Sequence, residues 1–336
     1  MTTIEDIAEE ADVSPSTVSR ALNNSSLIGE ETRRKVKRIA REMNYKKNDL
    51  ASGLVKGVGV GALGLIIPNI SNPYYAELTR GVQDRANELG YGVFLGDTEA
   101  SLEKERRFET LLRRKKVDGI ILASATVNDP YLKELNNSSV PIMLISRISR
   151  ELETNFIKVD DIKGGRLAVE HLVELGHEKI GFIGGPDDFS SAQDRRVGFE
   201  KVMKEHGLPI NRSIVSHAQY TQEAGHNMAS AYISKQDKFT AIFCANDIIA
   251  LGAIEALERD GLVVPEDVSI VGYDNISYAS LPRIMLTTVS QPIYTMGYDA
   301  AESLIDISEN EKEQSIQREL TPKLVVRNTT RKPKSG

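Results

Sequence analysis

From residue 62 onward, short and almost wholly apolar runs alternate with longer stretches of helical periodicity. The apolar runs fall at 63–67, 93–95, 119–123, 141–145, 179–183, 240–244, 268–271 and 287–289. Helical stretches occupy 74–89, 102–115, 164–175, 195–206, 223–233, 248–259 and 295–307. Strands that are apolar on both faces must be covered on both sides, so the alternation dictates parallel sheets with helices against each face. The two halves start alike: Leu63-Gly64-Leu65-Ile66-Ile67-Pro68 resembles Ile180-Gly181-Phe182-Ile183-Gly184-Gly185. Two doubly wound lobes fit this arrangement better than one wide sheet. Ligands of such folds sit beyond the carboxyl ends of the strands, which makes the cleft between lobes the expected site.

The first sixty residues follow a different rule. Ile4, Ile7, Ala8 and Ala11 line one face of a short helix. After the Asp12-Val13 turn, Ser14-Pro15 opens a second helix, with serine as the cap and proline where no backbone donor is needed. That helix turns Val18, Ala21 and Leu22 inward and leaves Ser16, Arg20 and Asn23 on a polar face. A third helix puts Val36, Ile39, Ala40 and Met43 inward. The three make a helix-turn-helix unit. Asn48 can cap a very short helix beyond it, and Gly57, Gly59, Gly61 and Gly64 read as a tether. Gly59-x-Gly61-x-x-Gly64 matches a dinucleotide fingerprint, but it precedes a strand instead of following one, so it is read as linker.

At 336 residues the chain has room for two or three domains, and 40% hydrophobic with 27% charged residues is ordinary for a soluble globular protein. One cysteine, Cys244, excludes an internal disulfide framework. No apolar run is long enough to span a bilayer, and the first residues lack the basic and apolar regions of a signal peptide. A cytoplasmic protein without membrane contact is the expectation. The net charge of −6 hides an asymmetry: between Arg33 and Lys56 stand nine basic residues against two acidic ones. Such a stretch is either a patch for polyanions or a solvated helix face.

The order and content of the motifs resemble the LacI/GalR family of transcription regulators. At the N-terminus these are Thr3-Ile4-Glu5-Asp6-Ile7-Ala8, Val13-Ser14-Pro15-Ser16-Thr17-Val18-Ser19-Arg20-Ala21-Leu22-Asn23, Asn44-Tyr45 and Leu50-Ala51-Ser52-Gly53-Leu54. Farther on they are Ser71-Asn72-Pro73-Tyr74-Tyr75, Ala245-Asn246-Asp247, Gly272-Tyr273-Asp274-Asn275 and Leu286-Thr287-Thr288-Val289-Ser290-Gln291-Pro292. The resemblance implies an all-α helix-turn-helix headpiece at 1–47 and a hinge helix with a Gly-rich linker at 48–61. It implies a two-lobed periplasmic-binding-protein-like core at 62–330. One lobe would take 62–160 and 292–330, the other 161–291, and 331–336 would be a disordered tail. The implied partners are a pseudopalindromic operator in double-stranded DNA, a second copy of the chain as homodimer and a small sugar-like effector. No cofactor and no metal are implied.

On the headpiece, Arg20 has the fork that bonds guanine O6 and N7 together, Ser16 can bond either base type, and Pro15 offers apolar contact. Ser14, Thr17 and Asn23 are read as phosphate contacts that fix register, and the resemblance adds Thr3, Ala51 and the minor-groove wedge Leu54 to the DNA-binding set. A sugar site needs amides, carboxylates, an arginine and aromatic plates. The resemblance to sugar-binding members assigns Tyr74 and Tyr75 as plates with Asn72 beside them. Arg147 and Arg195 are donors, Asn246 and Gln291 do both, and Asp274 accepts from hydroxyls. Tyr220 and Tyr273 close the other lobe. Ribose-operon repressors are the nearest pattern, with one departure: Ser146 stands where those binders place an aspartate before the arginine, leaving room for another pentose, hexose or derivative. Rival readings are a sugar receptor with no gene to regulate, a regulator answering to a nucleobase or a phosphorylated protein, and an enzyme. No metalloprotease, phosphate-loop or nucleophile-elbow motif supports the last.

Overall fold

The computed structural model describes all residues except 1, 23–26, 44, 46–59, 137, 236–238, 311–314 and 335–336. The chain separates into two compact units, Met1–Val58 and Gly59–Gly336. In the first, helices α1 (Ile4–Ala11), α2 (Pro15–Leu22) and α3 (Glu30–Glu42) close around Ile7, Ala8, Ala11, Val18, Ala21, Val36, Ile39 and Ala40. The helical spacing anticipated each of these. Thr3 and Asp6 cap α1 reciprocally: the Thr3 hydroxyl accepts from Asp6 N, and the Asp6 carboxylate accepts from Thr3 N. Asp12 ends α1 in the left-handed region at φ 51°. Most of the 48–61 hinge and linker lies outside the described residues.

The second unit contains two six-stranded sheets. The first takes β1 (Ala62–Ile67), β2 (Gly92–Asp97), β3 (Gly119–Leu122), β4 (Ile142–Ile145), β5 (Asn155–Val159) and β11 (Gln317–Leu320), in the order β11-β5-β4-β3-β1-β2. All its pairings are parallel. The second sheet takes β6 (Ile180–Gly184), β7 (Val215–His217), β8 (Ala241–Cys244), β9 (Ser269–Asp274), β10 (Thr287–Ser290) and β12 (Lys323–Val325), in the order β12-β10-β9-β8-β6-β7. Among the described residues only β12 runs antiparallel, against β10. The doubly wound lobes of the sequence reading are therefore present, each with its order reversing beside the first strand, β1 or β6. That reversal opens a crevice at the carboxyl ends of the strands.

Two of the expected assignments need correction. The stretch 323–330 does not belong with 62–160, because β12 pairs with β10 and the Thr329 side chain bonds Thr287 N and Ile270 O on the second sheet. The tail is ordered through 334: Arg331 O accepts from His177 Nε2 at 2.9 Å, and Lys334 Nζ meets Asp267 at 2.6 Å. Burial keeps His177 below its ordinary value, so the neutral ring suits its bonds to the hydroxyls of Thr240 and Ser269.

Helices cover both sheets. They are α4 (Pro73–Glu88), α5 (Leu102–Arg114), α6 (Pro130–Asn136), α7 (Asp161–Glu174), α8 (Ser190–Glu205), α9 (Gln222–Ser234), α10 (Asp247–Arg259) and α11 (Ile293–Asn310). Three pairs cross at reciprocal glycines. A Cβ on Gly81 of α4 would stand 2.2 Å from Tyr294 O, and one on Gly297 of α11 would stand 2.2 Å from Leu78 O. Gly165 and Gly198 do the same for α7 and α8, as Gly225 and Gly252 do for α9 and α10. The obstacle in each case is backbone, which cannot rotate away. Gly252→Ala, facing Gln222 O at 2.0 Å, is therefore expected to lower stability by about 2–3 kcal/mol despite alanine's better helix propensity. Urea denaturation checks this, and an unchanged or raised midpoint would show that α9 and α10 can slide apart freely.

Candidate functional site

Where the two crevices face each other, one cavity is lined by Asn72, Tyr74, Tyr75, Ser146 and Arg147 from the first lobe. Ser191, Arg195, Tyr220, Asn246, Asp274 and Gln291 line it from the second. Nearly all follow the carboxyl end of a strand: Asn72 after β1, Ser146 and Arg147 after β4, Tyr220 after β7, Asn246 after β8, Asp274 at the end of β9 and Gln291 after β10. The cavity holds only about 30 Å³, in a measure where one water needs roughly 10–15 Å³. A second cavity of about 290 Å³ adjoins it, sharing Asn72, Tyr75, Arg147 and Tyr220 and reaching Pro68, Glu99 and Phe189. The lobes are tied beside these cavities by Ile148 N donating to Ser190 Oγ, Val127 N to Asp188 O, and an Arg150–Asp194 ion pair.

The two asparagines play matching parts in the two lobes. Asn72 Oδ1 caps α4 by accepting from Tyr74 N at 3.0 Å, and Asn246 Oδ1 caps α10 by accepting from Ile249 N at 2.8 Å. Each cap fixes the side chain and leaves its amide nitrogen for the cavity. Tyr74 and Tyr75 meet edge to face with centroids 5.0 Å apart. The Tyr74 hydroxyl bonds Ser146 Oγ, and the Tyr75 hydroxyl accepts from Arg147 Nη2 at 3.0 Å. Ser146 is held at φ +67°, a left-handed backbone that carries strain for a residue with a Cβ.

Three carboxylates set the electrostatics. Arg195 Nε donates to Asp161 Oδ1 at 2.8 Å, and its Nη1 donates to Ala245 O at 2.6 Å while standing 3.8 Å from Asp274. The guanidinium lies 3.7 Å above the Tyr273 ring. Burial pushes the Asp161 carboxyl above its ordinary value, although Arg195 pulls the other way. The Asp274 carboxyl accepts from Gln291 Nε2 at 2.6 Å, yet burial pushes it up to about 7. Beneath it, Asp247 accepts from Thr288 Oγ1 and from Ile276 N, bracing the turn that carries Asp274 and Asn275 at φ 110° and 59°. Burial first, and Asp274 second, drive Asp247 well above the usual carboxylate range.

In the headpiece, Pro15, Ser16 and Arg20 are exposed on α2, and Thr17 is half-buried. Ser14 Oγ accepts from Thr17 N and bonds the hydroxyls of Ser16 and Thr17, so this cluster is ordered at the start of the helix. Arg20 has no ion-pair partner among the described residues. The basic third helix is less bare than its composition suggests: Glu30, just before the counted stretch, pairs with both Arg33 and Arg34, and Glu42 pairs with Arg38.

The description "Bacterial regulatory proteins, lacI family" matches residues 3–48, and "Periplasmic binding protein-like domain" matches 169–330. The HTH-type transcriptional regulator DegA of Bacillus subtilis (strain 168) is 36% identical over 332 residues, covering 98% of both chains. The chain belongs to the LacI family. It is similar also to the ribose operon repressor of Halalkalibacterium halodurans, at 36% identity over 331 residues and 98% of both chains. The lac repressor dimer bound to operator and the anti-inducer ONPF superposes with a TM-score of 0.87 at 29% identity, covering 98% of this chain and 99% of that one. This LacI-family chain is thus a DNA-binding transcription regulator and not an enzyme.

Of the ten cleft residues expected from the sequence, the structure brings nine to the inner cavity. Tyr273 is the exception and needs correction: it is fully buried behind Arg195, with its hydroxyl 2.0 Å from where a Cβ on Gly164 would stand. It is a platform for the guanidinium and does not close the lobe. Sequence reasoning passed over Phe189 and gave Ser191 and Asp161 no part in the cleft. Asp160 caps α7, and its neighbour Asp161 faces inward to Arg195. Its place at the crossing between lobes, one residue past the cap, was the available signal. Asn23, Ala51 and Leu54 lie outside the described residues. Among the described residues, no helix is long and apolar enough to cross a membrane.

Proposed function

We propose that this regulator is a cytoplasmic homodimeric repressor of carbohydrate utilisation, seated on a pseudopalindromic operator and released or retained by a sugar-like effector between its lobes. The observation that carries this reading is the composition of the shared cavity. Amides, arginines, a carboxylate and tyrosine rings from both lobes converge there, which is the set that polyhydroxylated rings require. The site contributions assigned to Asn72, Tyr74, Tyr75, Arg147, Arg195, Tyr220, Asn246, Asp274 and Gln291 belong to this proposal. With some 30 Å³ inside, a monosaccharide enters only if the lobes part or side chains turn. Effector binding is therefore linked to lobe geometry, and a ligand shifts the population by no more than its differential affinity. The relative named a ribose operon repressor is in keeping with a sugar.

Gel retardation of a labelled fragment upstream of the gene, with and without a sugar panel, tests the whole reading. A band that some sugar strengthens or releases supports it; a band that no sugar alters leaves only DNA binding. Within the headpiece, Arg20→Ala is expected to weaken specific binding by about 1–3 kcal/mol while barely touching binding to random DNA. Competition titrations against both DNAs decide it, since an equal loss on both would make Arg20 a phosphate contact.

A further inference from the structure

Resting on the reading of a sugar-like effector, we infer that the effector carries a carboxylate, as in an aldonic or uronic acid, seated against Arg147 where the two cavities meet. Arg147 is 4% exposed, yet among the described residues no carboxylate forms an ion pair with it. Its Nη2 donates to a neutral phenol, its face lies 3.6 Å from the Phe189 ring centroid, and Nη1 is buried with no hydrogen-bond partner among the described residues. An arginine cannot shed its proton, so this is a buried cation with an unused donor. The contrast with Arg195 is direct, since that guanidinium has Asp161 at 2.8 Å and a carbonyl besides.

The carboxylates in reach do not remove the imbalance. Asp274 and the buried Glu105 act on Arg147 from a distance, and burial raises both above their ordinary values, favouring their neutral forms. Glu99 at the rim of the outer cavity is paired with Lys104 at 2.7 Å. Ser146, the residue before Arg147, is uncharged and spends its hydroxyl on Tyr74. The ligand is then the natural source of the missing charge. A carboxylate fits a single guanidinium fork, whereas a phosphate dianion calls for a second free cation, and Arg195 is already committed. The outer cavity of about 290 Å³ gives the acid group room beside Arg147 while the hydroxylated part faces Asp274, Gln291 and Asn246.

Calorimetric titration of the full chain with matched pairs tests this: D-glucose against D-glucuronate and D-gluconate, D-galactose against D-galacturonate, D-ribose against D-ribonate. Ribose 5-phosphate and glucose 6-phosphate form a separate arm. At least one acid is expected to bind tenfold or more tighter than its neutral parent. Arg147→Gln should collapse that ratio to within threefold of unity, and Arg147→Lys, which keeps the charge without the fork, should retain part of it. The lysine variant also keeps the test open if the glutamine variant does not fold, as judged by its thermal midpoint. A neutral parent binding as tightly as its acid, or phosphates binding where acids do not, overturns the inference and leaves the sugar reading standing. If none of these compounds binds, the sugar reading falls, and this inference with it.

Discussion

Asp161→Ala is expected to lower the stability of the effector-binding unit by about 3–5 kcal/mol, since it strands a buried guanidinium. Arg195 and Asp161 have side-chain exposures of only 7% and 3%, and their contact is a hydrogen-bonded ion pair at 2.8 Å. Arg195 cannot neutralise itself by losing a proton, so the cost of its desolvation falls wholly on the fold once the partner carboxylate is gone. The remaining acceptors do not replace it. Ala245 O takes one donor, and Asp274 stands 3.8 Å away with a carboxyl that burial already pushes toward the neutral form. Scanning calorimetry should show the loss as a fall of roughly 10 °C in the unfolding midpoint. A second variant separates the pair from its neighbourhood. Replacing both residues, as Asp161→Ala with Arg195→Met, should recover much of the loss, because the stranded charge is then absent. A single-variant cost below about 1 kcal/mol would mean that water reaches the guanidinium and that the pair is a surface contact in disguise.

The same pair explains how the cleft can be polar and still rigid. Asp161 opens α7 at the crossing from the first lobe to the second, and Arg195 lies on α8, the helix that crosses α7 at Gly165 and Gly198. Their bond ties the start of one helix to the second turn of the other. It thereby aims Arg195 over Tyr273 toward the cavity. Without it, two donors in the cleft would have several rotamers to choose from, and a ligand would bear the entropy of choosing.

Why so much of this could be read in advance, and where it could not, follows from where each signal lies. Strands such as β1, β3 and β8 are buried on both faces, so their sequences are unbroken apolar runs. β11, Gln-Arg-Glu-Leu, is an exposed edge strand, and β7 and β12 have only three residues each; none carries a periodic pattern. Those omissions are what misplaced 323–330, since the crossing back to the second lobe is visible only once β12 has a partner. The cleft residues were legible through the resemblance to sugar-binding members, whose motifs here fall just past the ends of strands. Tyr273 shows the limit of that reasoning: it is the penultimate residue of β9, and the alternation of a strand sends it to the opposite side from Asp274. The reciprocal glycines of the helix pairs gave no warning, because a contact between two backbones requires both helices to be placed.

Asp274→Asn should separate the two tasks of the cleft and reveal its hidden charge. The folded Asp274 carboxyl is pushed up to about 7 by burial, against an ordinary value of 3.8 in the unfolded chain. Between those values the folded state holds a proton that the unfolded state has released, so stability falls as pH rises through this window and the loss is complete above about 7. Asparagine has no proton to lose, and its oxygen still accepts from Gln291 Nε2. The variant should therefore match the parent near pH 4 and exceed it by about 1–3 kcal/mol at pH 8, part of the gain being offset by the weaker neutral hydrogen bond. Effector binding moves the other way. A carboxylate accepts from two hydroxyls, whereas the amide offers one acceptor and sets a donor against the other hydroxyl, which should weaken the effector by a hundredfold or so at pH 8. Operator retardation should persist but no longer answer to the effector. Urea midpoints across pH 4–8 for both proteins check the first half: parallel profiles would show that Asp274 ionises as a solvated carboxyl, and a site so wet would be a poor clamp for any sugar.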